Sequence, residues 1–249
     1  MLNLREKEML KAMFKEQDAL NQQLSSYWYK EPKFNYPRAI VMELAELIDC
    51  FNWEWWKNKD VNTKNIIIEV VDVWHFLISW LLQQEYYFAN KSLDLIAEQV
   101  HYFYDKVSYT TNPESEYYYE DVIQLAEEMM EYALSGDICR ATKTFFSICF
   151  VLKIDLQYLF SIYLGKRVLN DFRWDCKKKY GFYDKYWCGT EDNFILLYCI
   201  DKIVSNFNFY DTSQLAHSVA EYLNKLHNAL AIEYDKHLTR RAEDIKRRK

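Results

Sequence analysis

The chain has 249 residues, half of them apolar, with a net charge of −6 and a pI near 5.5. That is enough apolar material for a sizeable core, while the acidic balance excludes the broad basic field that duplex nucleic acid requires. With only four Gly and three Pro, turn-rich sandwiches and doubly wound sheets are disfavoured, and long helices joined by short loops are expected.

The six cysteines form no CxxC pair, and the first residues, including Leu4-Arg5-Glu6-Lys7-Glu8, are too charged for a secretory signal. Reduced thiols and a cytoplasmic location are the expectation. No uncharged apolar run reaches the roughly 18 residues of a membrane span, so none is expected. Ile66 to Leu82 comes nearest and is interrupted by Glu69, Asp72 and His75.

In chain order, residues 3–24 form a first helix with Met9, Met13, Leu20 and Leu24 apolar. Gln17 and Asn21 lie one turn apart on it. Neutral amides offer both a donor and an acceptor, so this pair could read a nucleobase edge; a polar helix face is the plainer alternative. Pro32 and Pro37 mark a loop, with Pro37 placed for the first turn of the next helix.

That helix carries Glu43 and Glu46, and the following one carries Glu69 and Asp72. Each pair is spaced i, i+3 and so lies on one helix face. Both pairs sit inside apolar runs: Ile40, Val41, Leu44, Leu47, Ile48 and Phe51 around the first, Ile66 to Ile68, Val70, Val71, Val73 and Leu77 around the second. Helices of that kind are buried nearly all round. Packed side by side, they would bring four carboxylates together, each pair at about 4 Å repelling by roughly 4 kcal/mol at an effective dielectric of 20.

Hard divalent cations resolve that conflict. Carboxylate donors without thiolates suit Mg2+, with Mn2+ the alternative, and Mg2+ commonly shares its shell with substrate phosphate. A carboxylate-bridged di-iron bundle competes, since Asp72 and His75 are also i, i+3, but such a bundle takes a Glu-x-x-His pair from each of two helices. Only one His is so placed, and His75 is read as a pocket or packed residue. Between the acidic helices, Trp53, Trp55 and Trp56 with Lys57 and Lys59 could stack on a base and neutralise phosphate, or cap the end of the bundle. Asn62-Thr63 supplies the N-cap of the second acidic helix.

Residues 91–105 and 117–134 give two more helices, separated by a polar loop, Ser108 to Ser115, that contains Pro113. Glu127, Glu128 and Glu131 are a solvated face. Gly136-Asp137 opens another helix whose stretch from Thr144 to Leu152 is core. Asp155 caps the next, on which Lys166, Asn170 and Arg173 form one stripe at i, i+4, i+7. Arg can clamp phosphate bidentately and Lys adds a mobile point charge. A loop from Lys177 to Gly189 follows, holding Gly181, Tyr183 and Lys185, and a Gly-containing basic loop lets backbone N–H groups approach a polyphosphate. Glu191-Asp192-Asn193 either closes that loop or caps a helix from Phe194 to Val204. A final helix starts near Thr212 and ends in a basic tail.

Together these residues resemble the dimeric all-α dUTPases, within the all-α nucleotide pyrophosphatases that include MazG-like enzymes and dCTP pyrophosphatases. The wider group is carried by Glu43-x-x-Glu46 and Glu69-x-x-Asp72. The narrower one is carried by Gln17 with Leu20-Asn21, Trp56-Lys57, Asp72-Val73-Trp74-His75-Phe76, Gly165-Lys166 to Arg173, and Tyr183-x-Lys185-x-Trp187-x-Gly189-x-Glu191-Asp192-Asn193. Where that family reads Gly-Tyr-Lys-Asp-Gly before its lysine loop, this chain has Lys177-Lys178-Lys179-Tyr180-Gly181.

A single helical domain over residues 1–249 is expected, with a C-terminal helical extension from about 206 that carries no part of the resemblance, and the charge and hydropathy above leave no nucleic-acid or membrane partner expected. The resemblance implies a homodimer that cleaves dUTP, and dUDP, to dUMP. Glu43, Glu46, Glu69 and Asp72 would hold Mg2+. Gln17 and Asn21 would read uracil, and Trp56, His75 and Phe76 would line the nucleoside pocket. Lys166, Asn170, Arg173, Gly181, Tyr183 and Lys185 would hold the phosphates, Lys57 adding charge. Glu46 is the expected base for a metal-activated water, with Glu43 next. Related specificities, for dCTP or modified nucleotides, and a non-catalytic nucleotide-binding role are the alternatives.

Overall fold

The computed structural model describes residues 2–57, 60–88, 92–107, 118–204, 207, 209 and 214–247. Among these are nine α-helices, one 3-10 turn and a two-stranded hairpin, so the all-α expectation holds. The expected polar loop from Ser108 to Ser115 lies outside the described residues. The chain separates into two compact units, Met1–Phe160 and Ser161–Lys249.

The first unit holds α1 (Leu2–Leu24), the 3-10 turn (Trp28–Lys30), α2 (Tyr36–Asp49), α3 (Thr63–Phe88), α4 (Leu93–Val107), α5 (Tyr118–Ser135), α6 (Ile138–Val151) and the first turn of α7 (Leu156–Tyr180). Helix starts fall where short polar side chains can satisfy orphan backbone N–H groups. Asn35 accepts from Arg38 N at 2.9 Å with Pro37 in the first turn, Asn62 from Asn65 N at 3.2 Å, Asp137 from Arg140 N at 2.9 Å and Asp155 from Tyr158 N at 2.7 Å. Gly136, at φ +79°, ends α5 in the left-handed conformation that a side chain disfavours.

The core of this unit forms where α3 crosses its neighbours. Trp74 is fully buried, stacks on Phe145 of α6 with ring centroids 4.9 Å apart, and donates its indole N–H to Met13 Sδ of α1. By length and apolarity α3 could cross a membrane, but 72% of its most apolar window is buried, which is how a central core helix behaves. α2 packs along α3. Asn62 N donates to Cys50 O at 2.9 Å, so the end of α2 meets the start of α3. This places the two acid-bearing helices side by side.

The second unit holds the rest of α7, strands β1 (Tyr186–Trp187) and β2 (Thr190–Glu191), α8 (Asp192–Ile203) and α9 (Leu215–Arg247). The strands pair antiparallel, Trp187 opposite Thr190, across a turn in which Cys188 (φ 51°) and Gly189 (φ 91°) are both left-handed, the geometry of a two-residue hairpin. α7 runs on to Tyr180, so Lys177, Lys178 and Lys179 are its exposed last turn rather than loop. Nothing breaks the helix before Gly181 (φ +77°), and three ammonium groups complement its C-terminal dipole.

Gly165 is where α7 meets α8. A Cβ there would press on Ile200, lying 3.2 Å from its Cγ1 and closer still to its Cδ1. Gly165→Val should therefore destabilise the chain by about 1–3 kcal/mol through overpacking, seen as a fall in melting temperature of roughly 2–4 °C per kcal/mol. Gly165→Ala should cost less, because the Ile200 terminal methyl can rotate away.

Candidate active site

In the first unit, carboxylate oxygens of Glu43, Glu69 and Asp72 lie within 4.8 Å of one another. Glu69 is the buried member, 5% exposed, and Glu43 and Asp72 are half-buried. Behind Glu69, Asn65 Nδ2 donates to its Oε1 at 2.7 Å and to Cys50 Sγ at 3.4 Å. That contact fixes one carboxylate oxygen and leaves the second to its neighbours. Three hard oxygen donors from two helices, at this separation, fit a divalent cation. Glu46, one turn after Glu43, is exposed and lies outside the triad.

A buried polar network sits between α1 and α3. Gln17 Nε2 donates to Asn21 Oδ1 at 3.1 Å, Asn21 Nδ2 to Ser79 Oγ at 3.1 Å, and Ser79 Oγ to the His75 carbonyl at 2.9 Å. His75 Nδ1 lies 2.8 Å from Gln17 Oε1. All four side chains are under 7% exposed, so Gln17 and Asn21 are not a solvated face. Tyr36 of α2 joins through a hydroxyl contact to Ser79, and burial pushes its phenol well above the usual range. Phe76 follows His75 on α3, half-buried.

Trp56 and Lys57 are exposed. Trp56 meets Trp53 and Trp55 edge-on at 5.5 and 5.3 Å, Lys57 pairs with Glu54 at 2.7 Å, and Trp53 Nε1 donates to Asp49 at 3.4 Å. These residues make an aromatic knuckle at the end of α2.

In the second unit the predicted cations do converge. Lys166, buried, donates to Asn193 Oδ1 at 3.1 Å. Arg173 forks onto Asp192 with two bonds of 2.9 Å and reaches Asn170 Oδ1 at 3.3 Å. Tyr183 donates its hydroxyl to Asp192, and Lys185 pairs with Glu191 at 2.8 Å. Asp192 is fully buried. Burial alone would lower the Arg173 pKa, but the Asp192 carboxylate raises it above its ordinary value. Three cations thus meet two carboxylates, an excess of one positive charge, and the fork of Arg173 is directed at Asp192. Gly181 sits at the C-terminus of α7 rather than among these bonds.

Sequence reasoning missed several partners. Ser79 stands four residues after His75, a spacing that could have shown it. Tyr234, His237 and Arg241 of α9 had no local signal. Tyr234 stacks on Tyr183 at 5.5 Å, His237 Nε2 lies 2.9 Å from Asp184, and Arg241 pairs with the same carboxylate. Burial would raise the Asp184 carboxyl, yet His237 and Arg241 hold it below the usual carboxylate range. A depressed carboxyl contributes stability that is full above about pH 4 and lost as the pH falls through the folded value. Asp184→Asn should flatten that acid limb in melting temperature against pH.

The dUTPase family model matches residues 9–180. The chain belongs to the dUTPase family. The match spans more than half the chain and, with the helical architecture, makes this an all-α dUTPase whose activity is dUTP hydrolysis. It covers the amide network, the acid triad and the Lys166 to Arg173 stripe, while the hairpin, α8 and α9 follow it. Family members of this kind are metal-dependent, and Glu43, Glu69 and Asp72 are the cluster that could bind the metal. Among curated proteins none matches the chain.

Proposed function

We propose that this dUTPase uses Mg2+, with Mn2+ the alternative, to convert dUTP to dUMP and pyrophosphate, and dUDP to dUMP and phosphate, acting as a homodimer. The observation that carries the reading is the meeting of Glu43, Glu69 and Asp72 from two adjacent helices. Those three side chains would hold the ion. Once bound, a divalent ion offsets phosphate charge and eases ionisation of the attacking water. Glu46, one turn after Glu43 and outside the triad, accepts the proton of that water. If Glu46→Gln turned over at the wild-type rate with Mg2+ bound, the base would have to be sought elsewhere.

Gln17 and Asn21 read uracil, because buried amides left unpaired by a wrong base impose a large penalty. His75, Phe76 and Trp56 are assigned to the nucleoside, and Lys57, Lys166, Asn170, Arg173, Gly181, Tyr183 and Lys185 to the phosphates, by their chemistry. The dimer reading is supported by Trp55 at 88% exposure with Trp53 and Trp56 also exposed beside it, since aromatic residues are enriched in interface cores.

The test is pyrophosphate and phosphate release from dUTP, dUDP, dCTP and dTTP, with and without Mg2+. A strong preference for the uracil nucleotides and loss of turnover without the metal are expected. Equal rates across the pyrimidines would replace this reading with a general nucleotide pyrophosphatase.

A further inference from the structure

The hydroxyl of Ser79 has one proton, and the structure shows where it goes. Ser79 stands four residues after His75 on α3 and donates to the His75 carbonyl at 2.9 Å, the usual back-bond of a helical serine. Its contact with Asn21 Oδ1 is longer at 3.4 Å, and the Tyr36 hydroxyl, which also meets Ser79, carries a proton of its own and can donate to it. With its proton on a backbone carbonyl that cannot turn over, Ser79 Oγ faces Asn21 as an acceptor.

The rest of the network then has one polarity. Asn21 must present Nδ2 to Ser79 (3.1 Å), so its Oδ1 faces Gln17; Gln17 must present Nε2 to Asn21 (3.1 Å), so its Oε1 faces His75 Nδ1 (2.8 Å). An amide can rotate by half a turn at no steric cost and exchange its donor for its acceptor. Here a turn of Asn21 would set two donors against each other at Gln17 and leave the accepting Ser79 oxygen facing another acceptor. Both residues are nearly sealed from water, Ser79 at 1% and Asn21 at 3% exposure, so water cannot repair such a mismatch.

This orientation bears on which base the site accepts. Uracil offers an N–H at position 3 beside a carbonyl at position 4, and cytosine offers the reverse, an acceptor beside an amino group. An amide held in one orientation complements one of these edges and opposes the other. We propose that Ser79, supported by Tyr36, is a specificity-determining positioning residue: it sets the direction of the Asn21 and Gln17 amides and thereby selects uracil over cytosine. The proposal rests on the reading that these two amides face the base, and it adds the device that orients them.

The experiment compares kcat/KM for dUTP and dCTP in Ser79→Ala, Ser79→Thr and Asn21→Ala, with melting temperature as the check on folding. Ser79→Ala should lower the dUTP to dCTP ratio by at least tenfold, through a raised KM for dUTP and improved use of dCTP. Ser79→Thr, which keeps the hydroxyl, should hold the ratio within about threefold of wild type. A loss of packing alone would slow both substrates equally and leave the ratio in place. If Asn21→Ala destroys the ratio and Ser79→Ala does not, the proposal is overturned while the base-reading role of the amides stands. If Thr is as unselective as Ala, the hydroxyl is not the determinant. If Asn21→Ala leaves the ratio intact, the amides do not read the base and both ideas fall together.

Discussion

Glu69→Gln should lower kcat/KM for dUTP by about a thousandfold, on the order of 4 kcal/mol of lost stabilisation, and should raise the stability of the metal-free protein. Glu69 is the most buried of the three acids whose oxygens lie within 4.8 Å of one another. Two such charges at that separation repel by roughly 3 kcal/mol at an effective dielectric of 20. Without a cation, neutralising one of them relieves that repulsion, and the Asn65 amide that donates to Glu69 Oε1 at 2.7 Å can still donate to the Gln carbonyl. With a cation, the same change removes a ligand.

The two effects have opposite signs, which makes the variant diagnostic. Wild type should gain melting temperature as Mg2+ is added, in proportion to the logarithm of its concentration above Kd; Glu69→Gln should melt higher without Mg2+ and gain little from it. A Glu69→Gln protein that responds to Mg2+ as wild type does, or that melts lower in chelator, would remove the acid triad from the metal site.

Arg173→Ala should destabilise the protein by about 3 kcal/mol, a fall of several degrees in melting temperature, because it abandons a fully buried carboxylate. Asp192 has no exposed surface and receives both 2.9 Å bonds of the guanidinium fork. Removing the fork leaves Tyr183 as a neutral donor to a charge that needs a cation. Arg173→Lys should recover only part of the loss, since an ammonium cannot bond both oxygens in the fork geometry. Adding Asp192→Asn to Arg173→Ala should recover most of the stability, because no buried charge is then left without its partner, while turnover stays low under the phosphate-binding role proposed for Arg173. If the double variant melts no higher than Arg173→Ala alone, the pair is not what holds α7 to the start of α8.

Much of this was legible from residue order alone. The i, i+3 acid pairs on α2 and α3 follow from helical periodicity and from the apolar runs that enclose them, and the short connection between those helices makes them neighbours. The caps at Asn35, Asn62, Asp137 and Asp155 could be read because a cap is a local bond over three residues. The Lys177 to Lys179 run belongs to α7 and not to the loop that its composition suggests, because nothing breaks the helix before Gly181.

What the order of residues determined was therefore whatever depends on near neighbours: the helices, the faces that carry the acids, and membership of the dUTPase family. Tertiary structure decided which members of each set meet. Helix rotation and packing bring Glu43, and not Glu46, to Glu69 and Asp72. They direct the Arg173 fork at Asp192, place Ser79 58 residues away from the amide it orients, and let α9 hold Asp184 across 53 residues of chain. Those pairings are set by the burial of whole helix faces against one another, a property of many residues at once that no local spacing contains.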